Sequence, residues 1–252
     1  MTLLVLVKMV PLISRSRKPE PLLFLLCKAD AASISLGTFF RALPNFNLIR
    51  PADAEEVLGA WEIAIESTQT PTLMCLTRQP VPLLDNSDRS KVHLGAYPVF
   101  SNYSTSEDPE LVLIASGSEV APTVEAAKHL STYRVRVVSM PIQSLFDRQP
   151  ASYRHEVLAT GKALAVGIEA WGSYGWARYA HASLSMHTFG LSAPQATLFE
   201  LFGFGVNTIV EKVSAFVEGK KGKDGVVVLP DVGEFEELLL GYAKQHAGPH
   251  VH

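Results

Sequence analysis

One stretch, residues 39–79, constrains the fold more than any other part of the chain, because it has the pattern of a strand, a helix and a second strand. Asn47 to Arg50 is a short, largely apolar run that predicts the first strand. Pro51 follows at a first helical position, where its missing N–H costs nothing. Thr72 to Leu76 is a continuous apolar run, which is typical of a strand buried in a parallel sheet.

The predicted helix between these strands has start and stop signals. Carboxylates in its first turn suit the positive end of the helix dipole; they are Asp53, Glu55 and Glu56. Val57, Trp61 and Ile65 recur at helical spacing, with Leu58 and Ala64 on the flank, which predicts an apolar stripe. Thr70-Pro71 ends the helix.

Arg78 stands at the carboxyl end of the second predicted strand. Open α/β sheets place their ligands at that edge. Arg78 is therefore the best single candidate for a functional residue, and a salt bridge at the end of the sheet is the alternative.

A second series of alternating strands and helices begins at Glu110. The pattern predicts strands at 111–115, 133–140 and 163–169, helices at 120–130, 153–158, 176–186 and 206–216, and a short strand or turn at 198–202. Strands that alternate with helices indicate an α/β fold with mostly parallel sheets and helices on both faces.

The change of pattern along the chain predicts its organisation. Residues 1–36 close no strand–helix unit, so we expect an aberrant or poorly ordered segment. Residues 37–79 form the first α/β unit, and the proline-bearing stretch 80–109 is interpreted as an interdomain linker. Residues 110–252 form the second unit, with a tail from about 217 that contains one amphipathic segment, Val232 to Gln245.

The turn Ser116-Gly117-Ser118-Glu119 follows a predicted strand and opens a predicted helix. Its free backbone N–H groups could hold a small anion. The simpler interpretation, which we favour, is a tight turn and helix cap, because one glycine falls well short of a phosphate-binding fingerprint. The histidines show no metal-ligand spacing, so the sequence predicts no metal site.

Composition excludes several classes of function. An apolar fraction of 47% is typical of a globular protein. A net charge of −3 gives no reason to expect nucleic acid as a partner. The two cysteines are too few for a disulfide framework, and no apolar run approaches the ~20 residues of a membrane span. We therefore expect a cytoplasmic protein; the carboxyl terminus does not end in a peroxisomal tripeptide.

Several long motifs resemble the carboxyl-terminal part of the transketolase family across residues 38–218. They are FRALPNFNLIRPADAEE, TPTLMCLTRQ, ELVLIASGSEV, RVRVVSMP, LFDRQPASYR and ELFGFGVNTIVEK. Within the family, GAYPVF, EAWGSYGWARYAHA and FGLSAP most resemble the fungal dihydroxyacetone synthases, which use formaldehyde. The resemblance identifies 37–79 as the end of a pyrimidine-binding domain and 110–252 as a transketolase C-terminal domain.

The resemblance implies two-carbon ketol transfer from xylulose 5-phosphate to formaldehyde or an aldose, in a homo-oligomer that depends on thiamine diphosphate and Mg²⁺. It implies that Arg78 grips the phosphate of the sugar, a task for which a planar guanidinium is suited. The diphosphate- and metal-binding domain and the glutamate that activates the cofactor are expected upstream of these residues. We therefore expect no catalysis by this chain alone; the alternative is a non-catalytic dimerisation or anion-binding module.

The family motif HDSIGVGEDGPTHQPIE, which supplies catalytic histidines and an aspartate, is not found before FRALPN in this chain. Read one base out of register, codons for Met1 to Arg17 can spell DSIGVGEDGPTHQPIE. The sequence thus predicts that residues 1–17 are an out-of-frame translation of the catalytic segment. Residues 18 to about 36 would then derive from an intron that restores the frame.

Overall fold

The computed structural model describes residues 4–8, 33–77, 79–104, 107–191, 193–223, 225–230 and 234–238, with side chains from Gly37 onward. Within them the chain forms one three-stranded and one six-stranded sheet, both covered by helices. The larger sheet is mixed, with mostly parallel strands. This confirms the predicted α/β fold class.

The smaller sheet contains β1 (Leu4–Lys8), β2 (Asn47–Ile49) and β3 (Thr72–Leu76) in the order β1-β3-β2. β2 and β3 run parallel, as the strand–helix–strand pattern predicts, whereas β1 pairs with β3 in the antiparallel direction. β1 and the first residues of helix α1 (Ser33–Ala42) lie within residues 1–36, where we expected no regular unit.

Helix α2 (Ala54–Glu66) connects β2 to β3, and its first turn is capped by Asp53, whose Oδ1 accepts a hydrogen bond from the Glu56 N–H at 3.1 Å. The predicted apolar stripe faces the core only in part: Ala64 is buried and Trp61 packs against buried core residues, whereas Ile65 is 62% exposed. The buried face consists of Glu56, Gly59, Ala60, Ile63 and Ala64. Gly59 belongs to it because a Cβ there would lie 2.5 Å from the Arg89 carbonyl oxygen.

The larger sheet has the strand order β4-β6-β5-β7-β8-β9. Its strands are β4 (Tyr97–Ser101), β5 (Leu111–Ala115), β6 (Val135–Ser139), β7 (Leu164–Glu169), β8 (Ala182–Ser185) and β9 (Glu236–Glu237). β4 is antiparallel to β6, and the remaining pairs are parallel. β5, β6 and β7 confirm the three predicted strands.

Helices cover both faces of this sheet. They are α3 (Val120–His129), α4 (Gln143–Asp147), α5 (Ala151–Leu158), α6 (Gln195–Phe202) and α7 (Val206–Gly219). Alternate residues of the central strands point to opposite faces. Leu113 belongs to the core cluster that includes α3, α6 and α7 residues, whereas Ile114 belongs to the cluster with α4 and α5 residues. Predicted helices 120–130, 153–158 and 206–216 are confirmed.

Two predicted elements in the second unit are wrong. The predicted helix 176–186 is a 3-10 turn at Trp176–Arg178 followed by β8. β8 is a short strand between β7 and β9. Because it is fully buried, its sequence shows no alternation of apolar and polar residues, and its residues are mostly small, so neither feature marks it as a strand. The predicted strand or turn at 198–202 is helix α6, which Pro194 precedes and Gly203 ends at a φ of 79°.

The stretch 80–109, interpreted as a linker, contains a 3-10 helix at Arg89–Leu94 and strand β4. Pro98 argues against a strand in the sequence, because proline is tolerated in sheets only at edges and irregularities. β4 is an edge strand, and its register shifts between Pro98 and Phe100. Of the predicted amphipathic segment 232–245, the described part includes β9; the rest of its length lies outside the described residues.

Candidate functional site

Two arginines of the first unit enter the carboxyl edge of the larger sheet. Arg50 follows β2, is 3% exposed, and its Nη1 donates to the Ser116 carbonyl oxygen at 2.6 Å and to Ser116 Oγ at 3.1 Å. The same nitrogen forms an ion pair with Glu119 and lies 3.5 Å from Glu169 Oε1. Arg41, in the last turn of α1, binds Glu169 through two hydrogen bonds of 2.6 Å.

The two carboxylates come from adjacent strand ends. Glu119 belongs to the turn after β5, and Glu169 is the last residue of β7, which pairs with β5. Glu119 also accepts hydrogen bonds from Ser118 Oγ at 2.7 Å and from the Ala170 N–H at 3.3 Å. Glu169 accepts from Ser116 Oγ and from Trp176 Nε1. Both buried carboxylates are therefore paired and hydrogen-bonded, as buried charges must be.

Trp171 is the apolar platform of this cluster. The guanidinium carbons of Arg41 and Arg50 each lie 4.9 Å from the centre of its ring, a cation–π geometry. A Cβ at Gly37 would come within 2.2 Å of that ring, so only glycine allows α1 to approach so closely. We call Arg41, Arg50, Ser116, Glu119, Glu169 and Trp171 the arginine cluster.

The charges of the arginine cluster stabilise one another. Burial alone would lower the pKa of Arg50, but the neighbouring Glu119 and Glu169 raise it above the ordinary value. Burial alone would raise the pKa of Glu169, but Arg41 and Arg50 hold it below the ordinary value. Both residues are therefore charged near neutral pH, and the site is a closed ion-pair network.

A second polar contact between the two units centres on Glu56. Its carboxylate is fully buried and accepts hydrogen bonds from the Ala52 N–H at 2.7 Å, Tyr97 Oη at 2.8 Å and Ser139 Oγ at 2.5 Å. Burial nevertheless raises the pKa of Glu56 to about 7, because none of these donors carries a full charge. Neighbouring Asp53 accepts from the Leu84 N–H and from Ser87 Oγ.

The site residues that the sequence predicts are Arg78 and the turn from Ser116 to Ser118. Arg78 lies outside the described residues, so its phosphate-gripping role stays a prediction. Ser116, Gly117 and Ser118 form the turn of the arginine cluster, where the Gly117 N–H already donates to the Arg50 carbonyl oxygen at 3.0 Å. Their anion-binding role also stays a prediction, and the two adjacent carboxylates disfavour it.

Sequence reasoning did not select the four charged residues of the arginine cluster. Glu119 follows a predicted strand and Glu169 ends another, the same position that marked Arg78. Applied to carboxylates, that argument places Glu119 and Glu169 at the same edge of the sheet, whereas the pairing of β5 with β7, which makes them neighbours, is seen only in the structure. Their arginine partners lie far away in sequence, since 128 positions separate Arg41 from Glu169.

A cleft of about 320 Å³ lies at the opposite edge of the larger sheet. Its lining includes Ala163 and Ala165 of β7, with Tyr179, His181 and Phe235 around them. The His181 Nδ1 accepts a hydrogen bond from the Ala165 N–H, and burial and then Lys220 lower the pKa of His181. The histidine beside this cleft is therefore neutral at physiological pH.

Comparison with known proteins identifies the family. Residues 29–82 match the transketolase pyrimidine-binding domain, and residues 95–205 match the transketolase-like C-terminal domain. A probable transketolase from Streptococcus pneumoniae is 42% identical over 178 residues, which are 69% of this chain and 27% of that protein. The transketolase of Bacillus subtilis is 40% identical over 185 residues, which are 70% and 27%.

Solved structures agree with these matches. The transketolase of Leishmania mexicana superimposes with a TM-score of 0.71 at 43% identity, covering 78% of this chain and 28% of that one. A Pichia stipitis transketolase in complex with sedoheptulose 7-phosphate gives a TM-score of 0.66 at 33% identity, covering 73% and 27%. A split-gene transketolase in an inactive tetramer, 22% identical with a TM-score of 0.57, shares the fold.

The fold and the matches together define an α/β domain pair of the kind found in transketolases. The chain belongs to the transketolase family and corresponds to the carboxyl-terminal portion of its members. It spans about a quarter of the length of the curated relatives above.

Transketolases depend on thiamine diphosphate and a divalent metal, and the described side chains do not fit that group. No cluster of three potential metal-ligating side chains occurs among them. The buried carboxylates of Glu119 and Glu169 are neutralised by arginines, and that of Glu56 is enclosed by protein donors.

In the described part of the chain, no helix is long and apolar enough to cross a membrane.

Proposed function

We propose that these 252 residues are a fragment of a ketol transferase and do not catalyse the transfer by themselves. The family reaction moves a two-carbon unit from xylulose 5-phosphate to an aldose, or to formaldehyde in the dihydroxyacetone synthases. The observation that carries the proposal is the match to the pyrimidine-binding and C-terminal domains over about a quarter of the relatives' length.

Contacts between the two units support a fragment that keeps its family architecture. Arg50 reaches from β2 to the turn after β5, and Glu56 reaches from α2 to Tyr97 and Ser139 in the larger sheet. Both contacts are buried. The chain thus provides a docked pair of domain parts to which further domains, or a full-length relative, could add the cofactor site.

Arg78 is proposed as the substrate-phosphate ligand of this fragment. The support is the motif Thr77-Arg78-Gln79 directly after β3, and the sugar phosphate bound in the Pichia stipitis structure. Formaldehyde as acceptor is a further proposal, supported by the GAYPVF, EAWGSYGWARYAHA and FGLSAP motifs. The cytoplasm as compartment has only compositional support.

The test of the proposed function is an activity assay on the purified chain, alone and mixed with a full-length transketolase. We expect no ketol transfer from xylulose 5-phosphate by the chain alone, with ribose 5-phosphate or formaldehyde as acceptor. Co-elution with the full-length relative would support association through family surfaces. Turnover by the chain alone, dependent on added thiamine diphosphate, would overturn the proposal.

A non-catalytic dimerisation or anion-binding module remains the alternative function. Exposed apolar side chains on α2 favour self-association, since Leu58 and Ile65 are 43% and 62% exposed. Light scattering across a range of concentrations tests this. A monomer at all concentrations contradicts a dimerisation module, and no stabilisation by phosphate contradicts an anion-binding one.

We also propose that residues 1–17 are an out-of-frame translation of the family's catalytic motif. The support is that every codon step from Met1 to Arg17 permits it. The intron-derived segment of this proposal runs from residue 18 to about residue 36, and the pyrimidine-binding match begins within it, at residue 29. Genomic DNA is the test: codons that cannot spell the motif one base out of register would refute it.

A further inference from the structure

The arginine cluster lies in the larger sheet at the carboxyl ends of β5 and β7. β5 is the first parallel strand of this sheet in the chain, β6 lies on one side of it and β7 on the other. The chain therefore changes direction across β5, and doubly wound sheets bind ligands at such a switch point, beyond the carboxyl ends of the strands. In this chain the crevice between the ends of β5 and β7 contains the guanidinium groups of Arg50 and Arg41.

We infer that this crevice is a guanidinium-binding site whose resident ligands are Arg50 and Arg41 of the same chain. The site is built by Ser116, Glu119, Glu169 and Trp171, all in or beside the turns after β5 and β7. Its ligand class is a planar organic cation. The turn 116–118, for which the sequence suggested a small anion, is part of a site of the opposite charge preference.

The contacts select a guanidinium over an ammonium group. Arg41 approaches Glu169 with two parallel hydrogen bonds of 2.6 Å, a geometry that needs a planar fork. Arg50 combines an ion pair with Glu119, two hydrogen bonds to Ser116 and a position 4.9 Å from the centre of the Trp171 ring. An ammonium is a compact, strongly hydrated charge, so it cannot stack on the ring and reach these acceptors together.

Charge and burial exclude an anion from the same place. The two carboxylates are fully buried, and they balance the two guanidinium groups one for one. Replacing Arg50 by a small apolar residue leaves Glu119 buried beside an empty space. A free guanidinium compound would restore the missing charge and hydrogen bonds, whereas phosphate would add a like charge to a buried carboxylate.

The experiment uses the full chain with Arg50→Ala, probed with ethylguanidinium, ethylammonium or inorganic phosphate at equal ionic strength. We expect ethylguanidinium to bind at least tenfold more tightly than ethylammonium. At ten times its Kd it should raise the thermal midpoint of the variant by roughly 3–6 °C. Arg50→Met is the matched control, because its side chain occupies the place that the ethyl group of the probe would take, so the thermal midpoint of this variant should not respond.

Equal stabilisation by ethylguanidinium and ethylammonium, or stabilisation by phosphate, would overturn the inference. A response of Arg50→Met equal to that of Arg50→Ala would also overturn it, because the effect would not come from the vacated space.

Should Arg50→Ala fail to fold, Arg50→Lys decides, because it keeps the positive charge and loses the planar fork. We expect amide hydrogen exchange at Leu48 and Ile49, the buried residues before Arg50, to be at least tenfold faster than in the wild type. Exchange at the wild-type rate would overturn the inference, because an ammonium group would then serve as well as a guanidinium.

Discussion

Glu56 makes the stability of this chain depend on pH in a way that one substitution removes. Its pKa is raised by burial from 4.5 to about 7, so the folded state holds a proton that the unfolded state has released. For a raised pKa, the stabilising contribution is fully present below pH 4.5 and is lost as the pH rises to about 7. At about 1.4 kcal/mol per pH unit, this difference amounts to about 3 kcal/mol.

Glu56→Gln keeps the shape of the side chain and cannot ionise, so the expected change is in the slope. Relative to the variant, the wild type should lose about 3 kcal/mol of unfolding free energy between pH 4.5 and 7, with no further relative loss above pH 7. For a domain of this size, that loss corresponds to roughly 6–12 °C in the thermal midpoint. Midpoints of both proteins at half-unit pH steps from 4.5 to 8.5 measure it.

The matched control is Glu62→Gln on the exposed side of the same helix. Because Glu56 is intact in this variant, its thermal midpoint should still fall between pH 4.5 and 7 as that of the wild type does. The reasoning about Glu56 is refuted if the difference between wild type and Glu56→Gln is the same at pH 5 and pH 8, because burial would then not have raised this pKa.

Three further predictions concern buried residues of the two units. Arg50→Met and Glu119→Gln should each cost about 3–5 kcal/mol in urea unfolding, and the double variant much less than their sum, because each single change leaves a buried polar group unpaired; additive costs would contradict the ion pair. Gly37→Ala should destabilise by about 1–3 kcal/mol because its Cβ would lie 2.2 Å from the Trp171 ring. The control is Gly172→Ala, because a Cβ at Gly172 would lie 3.6 Å from its nearest neighbouring atom. Equal losses of stability in the two variants would contradict the steric argument. Cys75, whose pKa burial raises to about 12, should resist Ellman's reagent at pH 8 until urea unfolds the chain, measured with the other cysteine replaced by serine; rapid native labelling would contradict its burial.

The sequence predicts the strands of this fold best where burial is complete on both faces. Thr72–Leu76 and Leu111–Ala115 have the predicted bounds, because continuous apolar runs are required of strands covered on two sides. Ala182–Ser185 is equally buried but consists of small residues, and nothing in its own composition marks it as a strand. Its identity depends on the parallel pairing with β7, which is a tertiary fact.

Helix α2 shows why the buried face could not be read from apolar residues alone. Glu56 is buried because it accepts hydrogen bonds from Tyr97 and Ser139, and Gly59 because the backbone near Arg89 approaches it. Both residues look like surface or neutral positions in a hydrophobic pattern. The apolar pattern therefore places Ile65 on the buried face, whereas the structure exposes it.

The candidate site likewise contains a part that the sequence predicts and a part that only the structure shows. A local pattern was enough to place the turn 116–119 at the end of a strand. It could not show that Arg50, 66 positions before Ser116, supplies the charge that fills the crevice. Long-range pairs of this kind leave no local periodicity.

The central proposal is that this chain, a member of the transketolase family, does not bind the family's cofactor by itself. Calorimetric titration of thiamine diphosphate with Mg²⁺ into the purified chain tests it most directly, with a full-length transketolase as the positive control. We expect saturable heat from the full-length enzyme and none from this chain. Saturable binding by the chain alone would contradict the claim.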